Sequence, residues 1–336
     1  MNRKAIALLS GGLDSTLAVK VLLEQGIEIE ALNFTSAFCT CNCRNSTCRS
    51  EAQRVAKEFG IKIKVLQKGS DYIDIIRNPK YGYGKGINPC VDCRIYMFKL
   101  AGKYMEDAGA SFIVTGEVLG QRPMSQRIDT FRVIERDTGL TGLILRPLSA
   151  KHLEPTLPEK NGIIDREKLL DIIGRSRRQQ IELAEELDVE NYPCPSGGCL
   201  LTDKIFARKV KDILDHKQDI TTKDLYLLKA GRHFRVDETA KIIIGRDDQD
   251  NIKLKNLMQI NDTLIEPLNF AGPTALICGD HDGTAILNIA GRMVVRYAKN
   301  KANGNNQLRV VENGTVAILT VDSPIDHETL ERMRIC

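Results

Sequence analysis

The sequence contains no tryptophan, and only 5% of its 336 residues are aromatic. Few side chains are therefore available to stack on nucleic-acid bases. No apolar run approaches the roughly 20 residues that a membrane-spanning helix needs, so an integral helical membrane protein is excluded. The N-terminal residues lack the apolar core and cleavage site of a secretory signal, and we therefore expect a cytoplasmic protein.

The sequence also has little net charge, only +4 at pH 7. This balance does not by itself predict nucleic-acid binding, although a local basic patch can still serve. Cysteine, in contrast, is abundant, with 10 residues. In a reducing compartment, clustered cysteines more often bind metal or take part in chemistry than form disulfides.

Apolar segments of two lengths alternate through the first half of the chain. Short buried-type segments predict strands at Ile6–Leu9, Glu28–Phe34, Lys62–Leu66 and Phe112–Thr115. Longer amphipathic segments predict helices at Thr16–Gln25, Ser50–Phe59 and Tyr96–Gly109. This alternation predicts an α/β fold with a parallel, doubly wound sheet, whose ligands bind at the carboxyl ends of the strands.

The pattern changes twice further along, which predicts three regions. Residues 1–150 form the α/β domain, 151–222 a smaller helical region, and 223–336 a C-terminal α+β domain. In the middle region we predict helices at Glu167–Ile173 and up to about Leu187. In the last we predict short strands at Lys241–Ile244, Ala275–Cys278 and Thr284–Leu287, and a helix over Ile289–Ala302.

The loop after the first predicted strand has the composition of an anion-binding site. Two glycines let the backbone approach a phosphate closely, and the following helix directs free N–H groups and a positive dipole end at it. Asp14 beside a phosphate is unfavourable unless a cation bridges the two groups, which suggests Mg²⁺. The alternative is a simple glycine turn with a helix cap. The residues of this loop are Ser10, Gly11, Gly12, Leu13, Asp14, Ser15 and Thr16.

The segment Ser-Gly-Gly-Leu-Asp-Ser resembles the PP-loop of the N-type ATP pyrophosphatases. The resemblance implies an adenine nucleotide alpha hydrolase-like fold, and cleavage of ATP to AMP and pyrophosphate with adenylation of a substrate oxygen. It implies that Ser10, Gly11, Gly12, Asp14, Ser15 and Thr16 hold the pyrophosphate. It also implies that Phe34 lies near the adenine and that Thr115 and Gly116 flank the nucleotide.

Two cysteine pairs stand in otherwise ordered-looking sequence, Cys90 with Cys93 and Cys194 with Cys199. A Cys-x-x-Cys pair serves as a redox dithiol, as two zinc ligands or as two ligands of an iron–sulfur cluster. The dithiol role is typical of a thioredoxin-like context, which this sequence does not offer.

The spacing of these segments resembles the tRNA-specific 2-thiouridylases over most of residues 4–203. The resemblance rests on the PP-loop, Asn88-Pro89 before Cys93, Thr115-Gly116, and Gly197-Gly198-Cys199. Two positions depart from that family's pattern: Cys90 stands in place of Asp, and Glu117 in place of His.

The third thiol, Cys90, makes the set also resemble the iron–sulfur-dependent tRNA thiolases. That resemblance implies that Cys90, Cys93 and Cys199 hold a [4Fe–4S] cluster whose fourth iron carries the sulfur to be delivered. A persulfide on Cys199, reduced by Cys93, is the competing mechanism. Cys93, Cys199 and Asp14 are the catalytic candidates in either case.

A second cysteine group has the density of a structural zinc site, although alternating cysteines point to opposite sides of a strand. We weigh zinc binding evenly against free thiols. The group consists of Cys39, Cys41, Cys43 and Cys48.

Basic side chains near the later cysteines suggest a tRNA-facing surface, although each alone is more typical of a solvated helix face. The candidates are Arg175, Arg177, Arg178, Arg208 and Lys209. The C-terminal region resembles the NFACT-R RNA-binding domain at Gly245-Arg246, Asn251, Gly272-Pro273 and Arg296–Lys301.

Together these resemblances imply an ATP-dependent tRNA uridine thiolase. We expect 2-thiouridine rather than 4-thiouridine, because the few residues before the first predicted strand leave no room for an N-terminal tRNA-binding domain. Its sulfur would come from sulfide or a cysteine desulfurase relay, and a homodimer is possible. A PP-loop synthetase acting on a small molecule without RNA is the alternative, and it needs neither the three cysteines nor an RNA-binding module.

Overall fold

The computed structural model describes residues 1–39, 48–193, 199–279, 281, 283–299 and 305–335, without the side chain of Cys48. It contains two compact units, Met1–Thr202 and Asp203–Cys336. The division at 150 and 222 that the sequence suggests stays a prediction, because compactness alone divides the chain between Thr202 and Asp203. Among the residues that the structure describes, none of the helices combines the length and the hydropathy that a transmembrane span needs.

The first unit is built on a five-stranded parallel sheet. Its strands are β1 (Lys4–Leu8), β2 (Glu28–Thr35), β3 (Lys62–Gln67), β4 (Phe112–Thr115) and β5 (Ile144–Leu145), in the order β3-β2-β1-β4-β5. The central strand β1 is buried on both faces, with Ala5, Ile6 and Ala7 at most 1% exposed. A strand covered on both faces needs a continuous apolar run, which is why β1 does not alternate. The predicted α/β fold is confirmed.

Helices cover both faces of this sheet. They are α1 (Leu13–Leu23), α2 (Cys48–Glu58), α3 (Asp71–Arg77), α4 (Cys90–Asp107), α5 (Ile128–Thr138), α6 (Leu157–Lys160) and α7 (Arg178–Glu186). One apolar cluster joins β1 to α1, α2 and α7 through residues such as Leu17, Val55 and Ala184. A second joins the opposite face to α4 and α5 through Phe98 and Ile134. The described part of this unit also contains short 3-10 helices at Ala150–His152, Arg166–Lys168 and Leu200–Thr202.

The second unit is an antiparallel six-stranded sheet with helices, as an α+β domain requires. Its strands are β6 (Arg232–Arg235), β7 (Lys241–Ile244), β8 (Thr263–Pro267), β9 (Ala275–Cys278), β10 (Asn306–Glu312) and β11 (Thr315–Val321), in the order β11-β10-β8-β9-β7-β6. Its helices are α8 (Lys204–His216), α9 (Thr222–Leu227), α10 (Asp248–Leu257), α11 (Gly283–Tyr297) and α12 (His327–Met333).

Two predicted elements are wrong. Thr284–Leu287 is not a strand but the start of α11, where Ile286, Ala290 and Met293 are buried at helical spacing. The helical spacing of apolar residues over the 15 residues of α11 is a stronger signal than the four-residue β-like segment within it. Glu167–Ile173 is not an α-helix either: beyond a single 3-10 turn it runs extended, with N–H groups of Leu170 and Ile172 donating to the carbonyls of Pro147 and Leu148 at 2.9 and 2.8 Å.

A buried ion cluster in the second unit gives a stability prediction. Asp212 of α8 accepts hydrogen bonds from Arg235 at 2.9 and 2.8 Å and from Lys241 at 2.9 Å. Burial raises the pKa of Asp212, but these two cations outweigh burial and hold the pKa below its usual value. Asp212→Asn leaves the buried Lys241 ammonium without its carboxylate. It should destabilise the protein by about 3 kcal/mol or more in urea unfolding.

The pH dependence follows from the same contacts. A carboxylate with a lowered pKa stabilises the fold above its unfolded pKa of about 3.9, and this stabilisation is lost as the pH falls through the folded value. The Asp212→Asn variant should therefore lose less stability than the parent below about pH 4. Asp215→Asn, at an exposed position of the same helix, is the matched control and should unfold like the parent protein. Equal unfolding of both variants would contradict the prediction.

Candidate active site

The glycine-containing loop lies between β1 and α1, at the carboxyl edge of the parallel sheet. Gly11 has a φ of +77°, and a Cβ at this position would lie 2.6 Å from the backbone of Glu51 and Ala52. A side chain is excluded both by the backbone conformation and by the contact with α2. Asn33 at the end of β2 donates to the carbonyl of Leu9 at 2.8 Å and ties the loop to the neighbouring strand.

Hydroxyl groups hold the loop in one conformation. Ser15 Oγ contacts Ser10 Oγ at 3.0 Å, and it donates to the Gly12 carbonyl at 2.9 Å. Thr16 Oγ1 donates to the same carbonyl at 3.1 Å. Among the described residues no side chain caps the N-terminus of α1, which follows Gly12 directly. The first turn of α1 is thus open to an external anion.

Asp14 is held by only one of its two carboxylate oxygens. Gln121 donates to Oδ2 at 3.1 Å, whereas Oδ1 is buried and has no hydrogen-bond partner among the described residues. A buried, unpartnered carboxylate oxygen is costly unless a ligand completes it. Its position in the first turn of α1 suits a divalent cation bridging to a phosphate.

The end of β4 rests directly on the same turn. A Cβ at Gly116 would lie 2.5 Å from the backbone of Asp14 and Ser15. Thr115 is buried beside it. Phe34, at the end of β2, packs partly buried against the apolar cluster on the α4 face of the sheet. The three predicted nucleotide-flanking residues therefore all lie at strand ends of one sheet edge.

The three thiols of the Cys90, Cys93 and Cys199 set come from two chain segments that meet. Cys90 and Cys93 lie in the first turn of α4, directly after Pro89. The N–H of Ile87 donates to the carbonyl of Leu201 at 3.1 Å, which brings the Cys199 segment alongside. An isolated antiparallel β-bridge pairs the backbones of Cys39 and Cys199, which adds a fourth cysteine to the set. All four cysteines are free thiols and partly buried.

A lysine and a tyrosine, neither of them predicted from the sequence, contact Cys93. The Lys68 ammonium donates to Cys93 Sγ at 2.8 Å and lies 4.4 Å from the centre of the Tyr72 ring. Burial raises the pKa of the Cys93 thiol, but Lys68 and a hydrogen bond from Tyr72 outweigh it, so that the pKa lies below its usual value. Burial raises the pKa of Cys199 to about 11, with a further contribution from Cys93. Cys93 is therefore the more readily ionised of the two.

A buried chain of charges connects the thiol segment to the end of β4. Glu117, 2% exposed, lies 3.4 Å from Arg94 Nε and 3.2 Å from Arg146 Nε. Arg146 reaches Glu135 at 2.6 Å and lies over the Phe131 ring. Because Arg94 follows Cys93 and Glu117 follows Gly116, this network fixes the thiols relative to the nucleotide loop. Glu117, which stands in place of the His of the 2-thiouridylase pattern, thus pairs with Arg94 and Arg146.

The thiols suit a metal cluster by chemistry, since cysteine thiolates are the usual ligands of iron–sulfur centres. The described residues nevertheless contain no group of three or more His, Cys, Asp or Glu side chains already arranged to hold a metal ion. Of the candidate zinc group, Cys41 and Cys43 lie outside the described residues, as does the side chain of Cys48. Cys194 lies outside them as well.

The predicted RNA-contacting residues have different surroundings. Arg175 and Arg208 are exposed, and Arg178 pairs with Glu182 at 2.8 Å on the surface. Arg177 is partly exposed. Lys209 is a correction: it is 6% exposed and donates to the carbonyls of Leu228 and Gly231 at 3.3 and 3.0 Å. Its ammonium stabilises the second unit and is not presented to a ligand.

The residues predicted to mark the C-terminal domain have structural roles. Asn251 accepts from the Thr274 N–H at 2.9 Å, and Gly245 donates to the Thr274 carbonyl at the same distance. A Cβ at Gly245 would lie 2.1 Å from Asn251 Oδ1. This part of the motif joins α10 to β7 and β9.

Fold and loop together define the first unit as a PP-loop nucleotide-binding domain. Comparison with known families agrees: residues 1–168, half of the chain, match the family described as thiamine biosynthesis protein (ThiI). The chain belongs to this family. Residues 231–333 match the family described as NFACT protein RNA binding domain. Both resemblances drawn from the sequence, to PP-loop tRNA thiolases and to NFACT-R, are confirmed.

The chain matches curated relatives over only part of their length. The chain is 25% identical over 223 residues to the tRNA-specific 2-thiouridylase MnmA of Fervidobacterium nodosum, covering 61% of this chain and 59% of that protein. It is 31% identical over 147 residues to a probable tRNA sulfurtransferase of Lysinibacillus sphaericus, covering 44% and 35%. The chain spans roughly a third to three fifths of the length of such relatives.

A solved structure, a 4-thiouridine synthetase–RNA complex with bound ATP, aligns over 55% of this chain and 51% of its own, with 24% identity and a TM-score of 0.35. At that score the alignment adds nothing to the fold described above.

Proposed function

We propose that this protein is an ATP-dependent tRNA uridine thiolase. The observation that carries the proposal is the meeting, at one edge of the sheet, of a phosphate-type loop and a thiol pair. Gly116 rests on the first turn of α1, and the Glu117–Arg94 ion pair joins that strand end to the helix bearing Cys90 and Cys93. An enzyme that activates an oxygen with ATP and replaces it with sulfur needs both groups close together.

In the first step the loop residues and Asp14, through Mg²⁺, would hold the phosphates of ATP. The uridine carbonyl oxygen attacks the α-phosphate, and pyrophosphate leaves. The carbonyl oxygen, a poor leaving group, thereby becomes part of a phosphate ester that departs as AMP. The loop is already held by its own hydroxyl contacts, so little reorganisation accompanies binding.

In the second step sulfur replaces the activated oxygen. Cys90, Cys93 and Cys199 would hold a [4Fe–4S] cluster, which with three protein ligands supplies one iron able to accept sulfide. The residues Lys68 and Tyr72 hold the Cys93 sulfur in place and compensate its negative charge. If the enzyme instead uses a cysteine persulfide, the lower pKa of Cys93 favours that residue over Cys199 as the thiolate.

The remaining assignments concern partners. The NFACT-type domain and the exposed arginines Arg175 and Arg208 would contact tRNA in the cytoplasm, with affinity that falls as salt rises. The sulfur donor would be sulfide or a desulfurase relay, and the enzyme could act as a homodimer. We retain 2-thiouridine as the favoured product over 4-thiouridine, and zinc as the candidate ion for the Cys39–Cys48 group.

The test is nucleoside mass spectrometry of bulk tRNA from cells with and without the gene, and from deletion cells complemented with Asp14→Asn. We expect one thionucleoside to disappear on deletion and to stay absent with the variant, and its identity distinguishes 2-thiouridine from 4-thiouridine. Unchanged thionucleosides would reject the proposal. Pyrophosphate release that tRNA does not stimulate would then favour the small-molecule synthetase.

A further inference from the structure

The loop that follows Glu117 touches both halves of the candidate site. We call residues Leu119–Gln126 the junction loop. At one end Gln121 donates to Asp14 Oδ2 at 3.1 Å, in the phosphate loop. At the other, Met124 lies against Gly84, where an added Cβ would be 2.3 Å from Met124 Sδ. The N–H of Gly84 donates to the carbonyl of Asn88 at 2.9 Å, two residues before Cys90.

Arg122 occupies the middle of this loop. Its carbonyl accepts from the Gln126 N–H at 3.2 Å, so the backbone carrying the side chain is fixed. The side chain retains access to solvent. Burial by neighbouring atoms lowers the pKa of the guanidinium, Arg94 lowers it further, and Cys90 and Asp14 oppose both. The contacts of Gln121 with Asp14 and of Met124 with Gly84 place Arg122 on the stretch of chain between the phosphate loop and the segment that leads to Cys90.

The carboxylates of the buried charge network beside the junction loop are already paired without Arg122. Glu117 and Glu135 neutralise Arg94 and Arg146 within the buried network. Within the described parts of the chain, no carboxylate lies at ion-pair distance from Arg122. A guanidinium beside a nucleotide loop that has no carboxylate of its own is suited to a phosphate, which it binds through two parallel hydrogen bonds.

We propose that Arg122 binds the phosphate that ends up in AMP, the α-phosphate of ATP and of the adenylated uridine. This rests on the proposed function. The phosphate loop holds the departing pyrophosphate, so the α-phosphate must lie on the thiol side of it, where the junction loop places Arg122. With sulfide as donor, the carbon–sulfur bond forms as the carbon–oxygen bond breaks. The oxygen and its electron pair leave with AMP, the proton of the sulfide passes to solvent, and no redox change occurs.

The experiment compares binding of two ligands by calorimetry in the presence of Mg²⁺. Arg122→Gln should weaken AMP binding about tenfold, the loss expected for a charge-assisted hydrogen bond, while pyrophosphate affinity stays within about twofold of the parent protein. Arg122→Lys should retain part of the AMP affinity. Arg127→Gln removes an exposed arginine five residues away and should change neither affinity.

The outcomes separate the possible failures. Parent-like AMP affinity in Arg122→Gln rejects the role of Arg122, and so does an equal loss of AMP and pyrophosphate binding, which would indicate a deformed loop. Binding of neither ligand by the parent protein rejects the proposed function, and the inference with it.

Discussion

The Cys93→Ser variant is expected to lose thiouridine formation by about 10³-fold or more while still releasing pyrophosphate in the presence of tRNA. The serine hydroxyl does not ionise near neutral pH, so it offers neither a nucleophile nor a soft metal ligand. Adenylation depends on the phosphate loop, which Cys93 does not touch. The two half-reactions should therefore separate, with adenylated tRNA or free AMP accumulating in place of product.

Measurement of pyrophosphate release and thionucleoside content on the same samples tests this separation. The control is Cys278→Ala, which removes a partly buried thiol from β9 in the other unit and should keep both activities. Loss of both half-reactions in Cys93→Ser, with folding intact, would contradict the assignment of Cys93 to sulfur transfer. Iron content of the purified parent and variant then distinguishes a cluster from a persulfide.

Gly11→Ala is expected to abolish ATP-dependent pyrophosphate release and to destabilise the protein. The new methyl group would lie 2.6 Å from the backbone of α2, at a residue whose φ is +77°. Backbone atoms cannot move aside as a side-chain end can, so the loop or α2 must shift. Strain at a positive φ adds about 1 kcal/mol or more to the loss of stability.

Gly60→Ala isolates the effect of the contact from the effect of the backbone angle. Gly60 has a φ of +65°, and a Cβ there would meet nothing within 4 Å. This control should lose only the stability that backbone strain costs, about 1 kcal/mol, and should keep ATP-dependent pyrophosphate release. If Gly11→Ala and Gly60→Ala behave alike in both assays, the close packing of the loop on α2 has no role in catalysis.

Local sequence patterns were sufficient for most of the first unit. Strands β2, β3 and β4 lie within two residues of their predicted bounds, because buried parallel strands need apolar runs that can be recognised in the sequence. The phosphate loop could be predicted equally well, because its glycines are required by the local backbone conformation. Gly11 has a positive φ, which other residues rarely adopt. Helix α4 begins at Cys90, six residues before its predicted start, because the cysteines form its first turn.

The surroundings of the thiols could not be read in the same way. Lys68 and Tyr72 reach Cys93 from the end of β3 and from α3, and neither residue carries a motif. The contact of Gln121 with Asp14 could not be predicted for the same reason, because Gln121 is an ordinary polar residue and the contact depends on the loop conformation. For Lys209 the sequence predicted a role that the structure does not support. The sequence suggests a surface cation that contacts RNA, but the Lys209 ammonium donates to backbone carbonyls inside the second unit.

The pairing of Cys39 with Cys199 has a consequence for the order in which the protein is made. The two residues are 160 positions apart by their numbers (199 − 39) and meet across an isolated bridge. During synthesis Cys39, Cys90 and Cys93 leave the ribosome well before Cys199, so the set of four thiols is incomplete until almost all of the first unit has emerged. Because closing so long a loop costs chain entropy, we expect this contact to form late, after the sheet has brought the intervening segments together. We therefore expect the four thiols to come together last, on a sheet that has already formed.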